Sequence, residues 1–68
     1  MKLLDARGLS CPEPIIMLRN EMNSSAVAYQ IIVDNTAARE NVTRYAHHQG
    51  YQVEVSEKGG EYTLNITR

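Results

Sequence analysis

The order in which two hydrophobic periodicities alternate along the chain limits its fold more than any other feature. Strand-like and helix-like stretches alternate twice, and two strand-like stretches then follow in succession. This order predicts the arrangement βαβαββ. Because 68 residues can build only one small hydrophobic core, we expect a single domain spanning 1–68.

The first half of the chain predicts a strand, a helix and a second strand. Lys2 to Ala6 forms a short strand, which ends where Gly8 permits a turn. A helix is predicted from Pro12 to about Asn23, because apolar residues recur there at helical spacing, at Ile15, Leu18 and Met22. The β-branched run within Val27 to Asp34 is too short for an ordinary helix, so it predicts a central strand.

The second half predicts another helix and a hairpin. Asp34, Asn35 and Thr36 are three candidate N-caps, and Gly50 is the candidate C′ residue of the helix that ends near Gln49. The apolar face of this helix consists of Ala38, Val42, Tyr45 and Ala46. Two alternating strands then flank Lys58-Gly59-Gly60 and place on one face Tyr51, Val53, Val55, Tyr62, Leu64 and Ile66.

These elements predict an α+β two-layer sandwich. Two helices on one face of a four-stranded mixed sheet would bury every apolar stripe in a single layer. The polar faces of the last two strands would then point to water or to a partner. The four tyrosines lie on predicted elements, so we expect them to pack in the core or across strands, at Tyr29, Tyr45, Tyr51 and Tyr62.

Composition argues against several classes of protein. Seven Lys and Arg against eight Asp and Glu give a net charge of −1, and Trp and Phe are absent, which is not the basic, aromatic pattern of a nucleic-acid binder. No apolar run approaches the roughly 20 residues that span a membrane. One cysteine, Cys11, cannot form an intramolecular disulfide, so we expect a cytoplasmic protein with a reduced thiol.

Cys11 is the one soft nucleophile of the chain, and it lies between the first strand and the first helix. Amides at the start of a helix stabilise a thiolate, so this position predicts a lowered pKa for Cys11. Pro12 suits the first helical position and Pro14 the first turn, which leaves Glu13 and the amides beyond Pro14 as candidate donors.

Structural interpretations of the same residues remain open. An unpaired cysteine is commonly a small buried hydrophobe. The position of Cys11 at the start of a helix equally favours a reactive thiol. Glu13 in the first turn either complements the helix dipole or has a direct role.

The remaining polar residues favour no metal or nucleic-acid site. His47 and His48 are neighbours on a helix and point about 100° apart, so we expect no metal site there. Four arginines form either a small basic dock for an acidic partner or, as the favoured interpretation, part of a solvated surface, namely Arg7, Arg19, Arg39 and Arg44.

The segment Leu4-Asp5-Ala6-Arg7-Gly8-Leu9-Ser10-Cys11-Pro12-Glu13-Pro14 resembles the Cys-Pro-x-Pro (CPxP) signature of the TusA/SirA/YedF family of small sulfur-carrier proteins. The similarity covers essentially the whole chain. Val33-Asp34-Asn35, Ala37, Asn41-Val42 and Gly50-Tyr51 are most similar to the YedF-like, selenium-metabolism branch. Where TusA-like members have Asp-Asp-Pro before the second helix, this chain has Asp34-Asn35-Thr36, a departure that bears on the choice of partner.

The resemblance implies that Cys11 relays sulfur as a persulfide, with selenium as an alternative chalcogen. It implies a donor protein such as a cysteine desulfurase, an acceptor protein, and no cofactor. Pro12, Glu13 and Pro14 are the supporting motif, and Arg7 lies in a loop that is near the partner surface in relatives. YedF-like members commonly continue into a second domain, so the resemblance allows two cases, a complete 68-residue domain or the N-terminal part of a longer chain.

A second functional class remains open on the residues themselves. In it, Cys11 is structural, and the helix faces or the sheet edge bind a protein or an RNA without catalysis. Rapid labelling of the Cys11 thiol would favour the carrier, and slow labelling in the folded state would favour the interaction module.

Overall fold

The structure is a computed structural model that describes residues 2–10, 12–23 and 28–68. Within those residues the elements follow the predicted βαβαββ order. The predicted start of the second strand, at Val27, lies outside the described residues. The elements are β1 Lys2–Asp5, α1 Glu13–Met22, β2 Ala28–Val33, α2 Thr36–His48, β3 Gln52–Lys58 and β4 Glu61–Thr67.

The four strands form one mixed sheet in the order β1-β2-β4-β3. β1 pairs with β2 in parallel, and β4 lies antiparallel to both β2 and β3. The central position predicted for β2 is therefore confirmed. Because β1 and β2 are parallel, their carboxyl ends meet at one end of the sheet, and the loops that follow these two strands lie there together.

One face of the sheet and the two helices enclose the core. Along β2, Tyr29, Ile31 and Val33 are buried, and Leu64 of β4 lies opposite Ile31. The helices contribute Pro14 and Leu18 of α1 and Ala38, Val42 and Ala46 of α2. The two-layer sandwich is confirmed, and so is the packing role predicted for the tyrosines, since Tyr29, Tyr51 and Tyr62 are buried and Tyr45 packs against the core.

The other face of the sheet is polar and open. In its middle, the side-chain amide of Gln30 donates a hydrogen bond to Asn65 Oδ1 at 2.9 Å, which joins β2 to β4. Leu3 of β1 is 59% exposed on this face. The predicted exposure of the polar faces of β3 and β4 is thus confirmed.

The burial predicted for Val55 is wrong. This side chain faces the helix layer opposite Leu64, yet it is 44% exposed. β3 is an edge strand, and two helices do not cover all four strands, so Val55 lines an open groove beside α2. Among the described residues, no helix is long and apolar enough to cross a membrane.

Candidate functional site

The predicted nucleophile, Cys11, lies outside the described residues, so the site is built from the residues that flank it. The loop from Ala6 to Ser10 precedes it, and α1 begins just after it. Its chain neighbours Ser10 and Pro12 are both exposed.

The loop before Cys11 is fixed to the sheet through its backbone. The amide of Ala6 donates to the carbonyl of Ile32 at 2.9 Å, and the amide of Leu9 donates to the carbonyl of Ala6 at 3.3 Å. The Leu9 side chain packs against the core. Gly8 has a φ of +77°, which favours glycine and lets the loop turn tightly. Backbone hydrogen bonds and the Leu9 side chain therefore hold the loop against the end of the sheet.

A carboxylate from the end of β2 also binds this loop. Asp34 Oδ2 accepts a hydrogen bond from the Gly8 amide at 2.7 Å. Asp34 was predicted only as a candidate N-cap, and this contact was not predicted. Instead, Asn35 caps α2, because its Oδ1 accepts from the Ala38 amide at 2.7 Å. The strand–helix–strand order of the sequence could have indicated the contact of Asp34 with Gly8. Strands connected in this way pair in parallel, as β1 and β2 do, and the residues after both strands then lie at one end of the sheet.

The start of α1 differs from the prediction by one residue. Pro12 occupies the N-cap position with a φ of −100°, and Glu13 is the first helical residue. The amide of Glu13 donates to the carbonyl of Ser10 at 2.9 Å, and its role as a donor to a Cys11 thiolate stays a prediction. Pro12 has no amide hydrogen, and the first intrahelical bond reaches its carbonyl from Ile16 at 3.1 Å.

The two prolines of the motif lie in different environments. Pro12 and Glu13 are exposed, whereas Pro14 is fully buried on the face of α1 that contacts the core. Pro14 and Leu18 are four residues apart on a helix, so both lie on the face that contacts the core. This burial of the Pro14 ring was not predicted from the sequence. The packing of Pro14 fixes the first turn of α1 against the core. The exposed Pro12 lies two residues before it.

Arg7 is part of an exposed ionic cluster, which we call the Asp5–Arg7–Glu61 cluster. Its Nε and Nη2 donate to the two oxygens of Asp5 at 2.9 and 2.8 Å, and its Nη1 lies 3.4 Å from Glu61 Oε2. The hydrogen bonds from Arg7 lower the pKa of Asp5 from 3.8 to about 2, and the same bonds raise the pKa of Arg7. The cluster therefore places one positive charge and two negative charges side by side at the surface.

The chain is similar to known proteins over nearly its whole length. The family profile described as Sulfurtransferase TusA matches residues 2–68. The chain belongs to the TusA family. The Sulfur carrier protein TusA of Pseudomonas paraeruginosa strain PA7 is 33% identical over 97% of this chain and 87% of its own length. That of Pseudomonas putida strain W619 is 29% identical over 97% and 86%.

A solved structure has the same fold. The SirA-like protein from Desulfitobacterium hafniense superposes on this TusA-family chain with a TM-score of 0.92 and is 31% identical to it. The superposition covers 98% of this chain and 96% of the other. The predicted membership of the TusA/SirA family is thus confirmed.

Among the described residues of this TusA-family chain, the basic side chains of Arg39, Arg44 and His47 line one groove, whereas Arg7 is bound to Asp5. Arg39 lies over the ring of Tyr62, 5.0 Å from its centroid, and Arg44 donates to Asn41 at 3.2 Å. His47 lines the groove beside Val55, whereas His48 faces the groove between α1 and α2. Among the described residues, no group of three potential ligands is placed to hold a metal ion.

The pH dependence of stability tests the Asp5–Arg7–Glu61 cluster. Because the folded-state pKa of Asp5 is below its ordinary value, its stabilising contribution is present above 3.8 and is lost as the pH falls towards 2. We expect Asp5→Asn to unfold at lower urea concentration than wild type above that range, and the difference to vanish near pH 2. Because both side chains are about half exposed, the effect is small. A pH-independent difference would contradict this origin.

Proposed function

We propose that this TusA-family chain carries sulfur as a persulfide on Cys11 and passes it from a donor protein to an acceptor protein. The match to the family profile over residues 2–68 is the observation that carries the proposal. The curated relatives are themselves named sulfur carrier proteins. Cys11 is the one cysteine of the chain, and it stands in the CPxP position of the family resemblance. A cysteine desulfurase is the donor proposed.

The transfer is a pair of thiol exchanges in which no net oxidation occurs. The Cys11 thiolate attacks the outer sulfur of the donor's persulfide, so a bond forms between these two sulfurs. The bond between that outer sulfur and the donor cysteine breaks, and the donor leaves as a thiolate. An acceptor thiolate then attacks the outer sulfur on Cys11 and releases the Cys11 thiolate. Each exchange conserves electrons, and no cofactor is needed.

The fixed loop and helix start support this chemistry. Sulfur transfer between two proteins requires an accessible sulfur that is held in a definite orientation. Ser10 and Pro12, the neighbours of Cys11, are exposed, and the residues beyond them are fixed by the Leu9 side chain and by buried Pro14. The supporting motif thus has a division of labour in the proposal. Pro14 fixes the helix start, and Pro12 and Glu13 are presented to the partner.

Arg7 is proposed as a partner contact through the cluster it forms. Its guanidinium is paired with the carboxylates of Asp5 and Glu61, which hold the Arg7 side chain in one orientation at the surface. A partner would therefore meet two carboxylates and one guanidinium held together near the loop. Such a mixed surface favours specificity and orientation over affinity.

Intact-mass measurement tests the proposal directly. We expect wild-type protein incubated with a cysteine desulfurase and L-cysteine to gain the mass of one sulfur atom, and the gain to disappear on treatment with a reducing thiol. Cys11→Ser is expected to show no gain. Ser10→Ala is the matched control, because it changes an exposed neighbour and keeps the thiol. Iodoacetamide should also label wild-type Cys11 rapidly in the folded state.

Two outcomes would contradict the persulfide carrier. Absence of a sulfur adduct with several donors would remove the reaction, and slow alkylation of folded protein would favour the interaction module with a structural cysteine. The assignment to the YedF-like branch, and with it selenium as the carried element, stays a prediction. Loading with a selenium donor in the same assay addresses it.

A further inference from the structure

We propose that Asp34 is a positioning residue for sulfur transfer, which it supports by holding the loop that carries Cys11. The inference rests on the proposed function, because it concerns the orientation of the same thiol. Asp34 follows β2 directly, and Gly8 lies in the loop after β1, three residues before Cys11. Their hydrogen bond joins positions 26 residues apart in the chain.

The contact has the geometry of a strong hydrogen bond. The distance from the Gly8 amide nitrogen to Asp34 Oδ2 is 2.7 Å, which is short for an amide donor and typical of an ionised acceptor. Gly8 has a positive φ, so the direction of its amide is set by a backbone conformation that other residues rarely adopt. The carboxylate therefore acts on the backbone itself, independently of side chains in the loop.

The other oxygen of Asp34 links the loop to α2. Asp34 Oδ1 accepts a hydrogen bond from the Asn35 side-chain amide at 3.3 Å, and Asn35 Oδ1 caps the helix through Ala38. One carboxylate thus connects the loop before Cys11 with the first turn of α2. Asn35 and Asp34 are adjacent, yet they do different work, since Asn35 stabilises a helix end and Asp34 stabilises a loop.

Removal of the acceptor should therefore affect the reaction more than the fold. Without the Asp34 carboxylate, the Gly8 amide turns to water, and among the described residues the loop keeps only the hydrogen bond from Ala6 to Ile32 at the end of β2. The thiol then spends less time in the orientation that the partner requires, and misplacement of a reacting group by about 1 Å can slow a reaction up to about 100-fold. We expect Asp34→Ala to load sulfur about tenfold more slowly than wild type.

A conservative variant separates the hydrogen bond from the charge. Asp34→Asn keeps an oxygen that can accept from Gly8 but removes the negative charge, so we expect its loading rate to stay within about threefold of wild type. Gly50→Ala is the control, because it strains the backbone at the far end of α2 and leaves Asp34 and its contact with the Gly8 amide in place. We expect this control to lower the melting temperature and to retain the loading rate.

Three measurements on the full chain test the inference together. Sulfur loading from a cysteine desulfurase gives the rate, iodoacetamide labelling across pH gives the thiol reactivity without a partner, and hydrogen exchange reports on the Gly8 amide. In Asp34→Ala we expect slower sulfur loading and faster hydrogen exchange of the Gly8 amide than in wild type. We also expect the rate of iodoacetamide labelling to depend on pH differently from wild type. In Asp34→Asn we expect all three to return towards wild type.

The possible failures are distinguishable. If wild type loads sulfur and Asp34→Ala loads it at the same rate, the positioning role is overturned and the carrier function stands. If Gly50→Ala slows loading as much as Asp34→Ala, the effect is one of general stability, and the inference is again overturned. If wild type does not load, the proposed function fails, and a changed labelling profile in Asp34→Ala still reports whether the carboxylate positions the thiol.

Discussion

Leu64→Ala is expected to lower the free energy of unfolding by about 2–5 kcal/mol. Leu64 is fully buried in the middle of β4, where it lies opposite Ile31 of β2 and Val55 of β3. Truncation leaves a cavity that this small core cannot fill, so the loss is a large share of the stability of a 68-residue domain. Chemical denaturation followed by far-ultraviolet circular dichroism measures the change.

Leu3→Ala is the matched control for the core substitution. Leu3 is the same residue type on another strand, but it is 59% exposed on the open face of the sheet. We expect its effect to remain within about 0.5 kcal/mol. If Leu64→Ala does not fold, Ile66→Val in the same buried row gives a graded test at about 0.5–1.5 kcal/mol. Equal losses for Leu3 and the buried positions would refute the assignment of the two faces.

Gly50→Ala is expected to destabilise the chain by about 1–2 kcal/mol. Gly50 follows the C-cap of α2 with a φ of +87°. Its amide donates to the carbonyl of His47 at 3.0 Å, and the amide of Tyr51 donates to that of Ala46 at 3.0 Å. This is the Schellman arrangement, and it directs Tyr51 into the core. The added methyl group would meet no atom within 4 Å, so the loss arises from backbone conformation alone.

Gln49→Ala is the control for the helix end. Gln49 immediately precedes Gly50 but has a φ of −87°, which alanine adopts without strain. We expect its unfolding free energy to stay within about 0.5 kcal/mol of wild type. Thermal unfolding of both variants measures the difference, and a Gly50→Ala protein as stable as Gln49→Ala would contradict the proposed conformational origin.

Local patterns in the sequence were sufficient for the fold. The alternation in β4 and the helical spacing of Ala38, Val42 and Ala46 identify buried faces, because burial repeats with the period of the element. Gly50 marked the end of α2 because a positive φ is a property of one residue. The start of α1 was misplaced by one residue, since Pro12 and Pro14 are two residues apart and both suit the start of a helix, which leaves its first residue open.

The candidate site was predicted only in part. The CPxP motif predicted the loop and a nucleophile at Cys11, which lies outside the described residues, so that assignment stays a prediction. The partners of that loop were not predicted, because they come from distant parts of the chain. Asp34 reaches Gly8 across the ends of two parallel strands, and Glu61 reaches Arg7 from β4.

The sequence by itself determined the order of the elements, their buried faces, the family and the one cysteine available for sulfur transfer. Only the tertiary structure decided which carboxylate holds the Gly8 loop and why Val55 stays partly exposed. The physical reason is the range of the interactions. Periodicity and backbone preference act over a few residues, whereas a hydrogen bond between strand ends, or the cover of an edge strand, depends on how the layers pack.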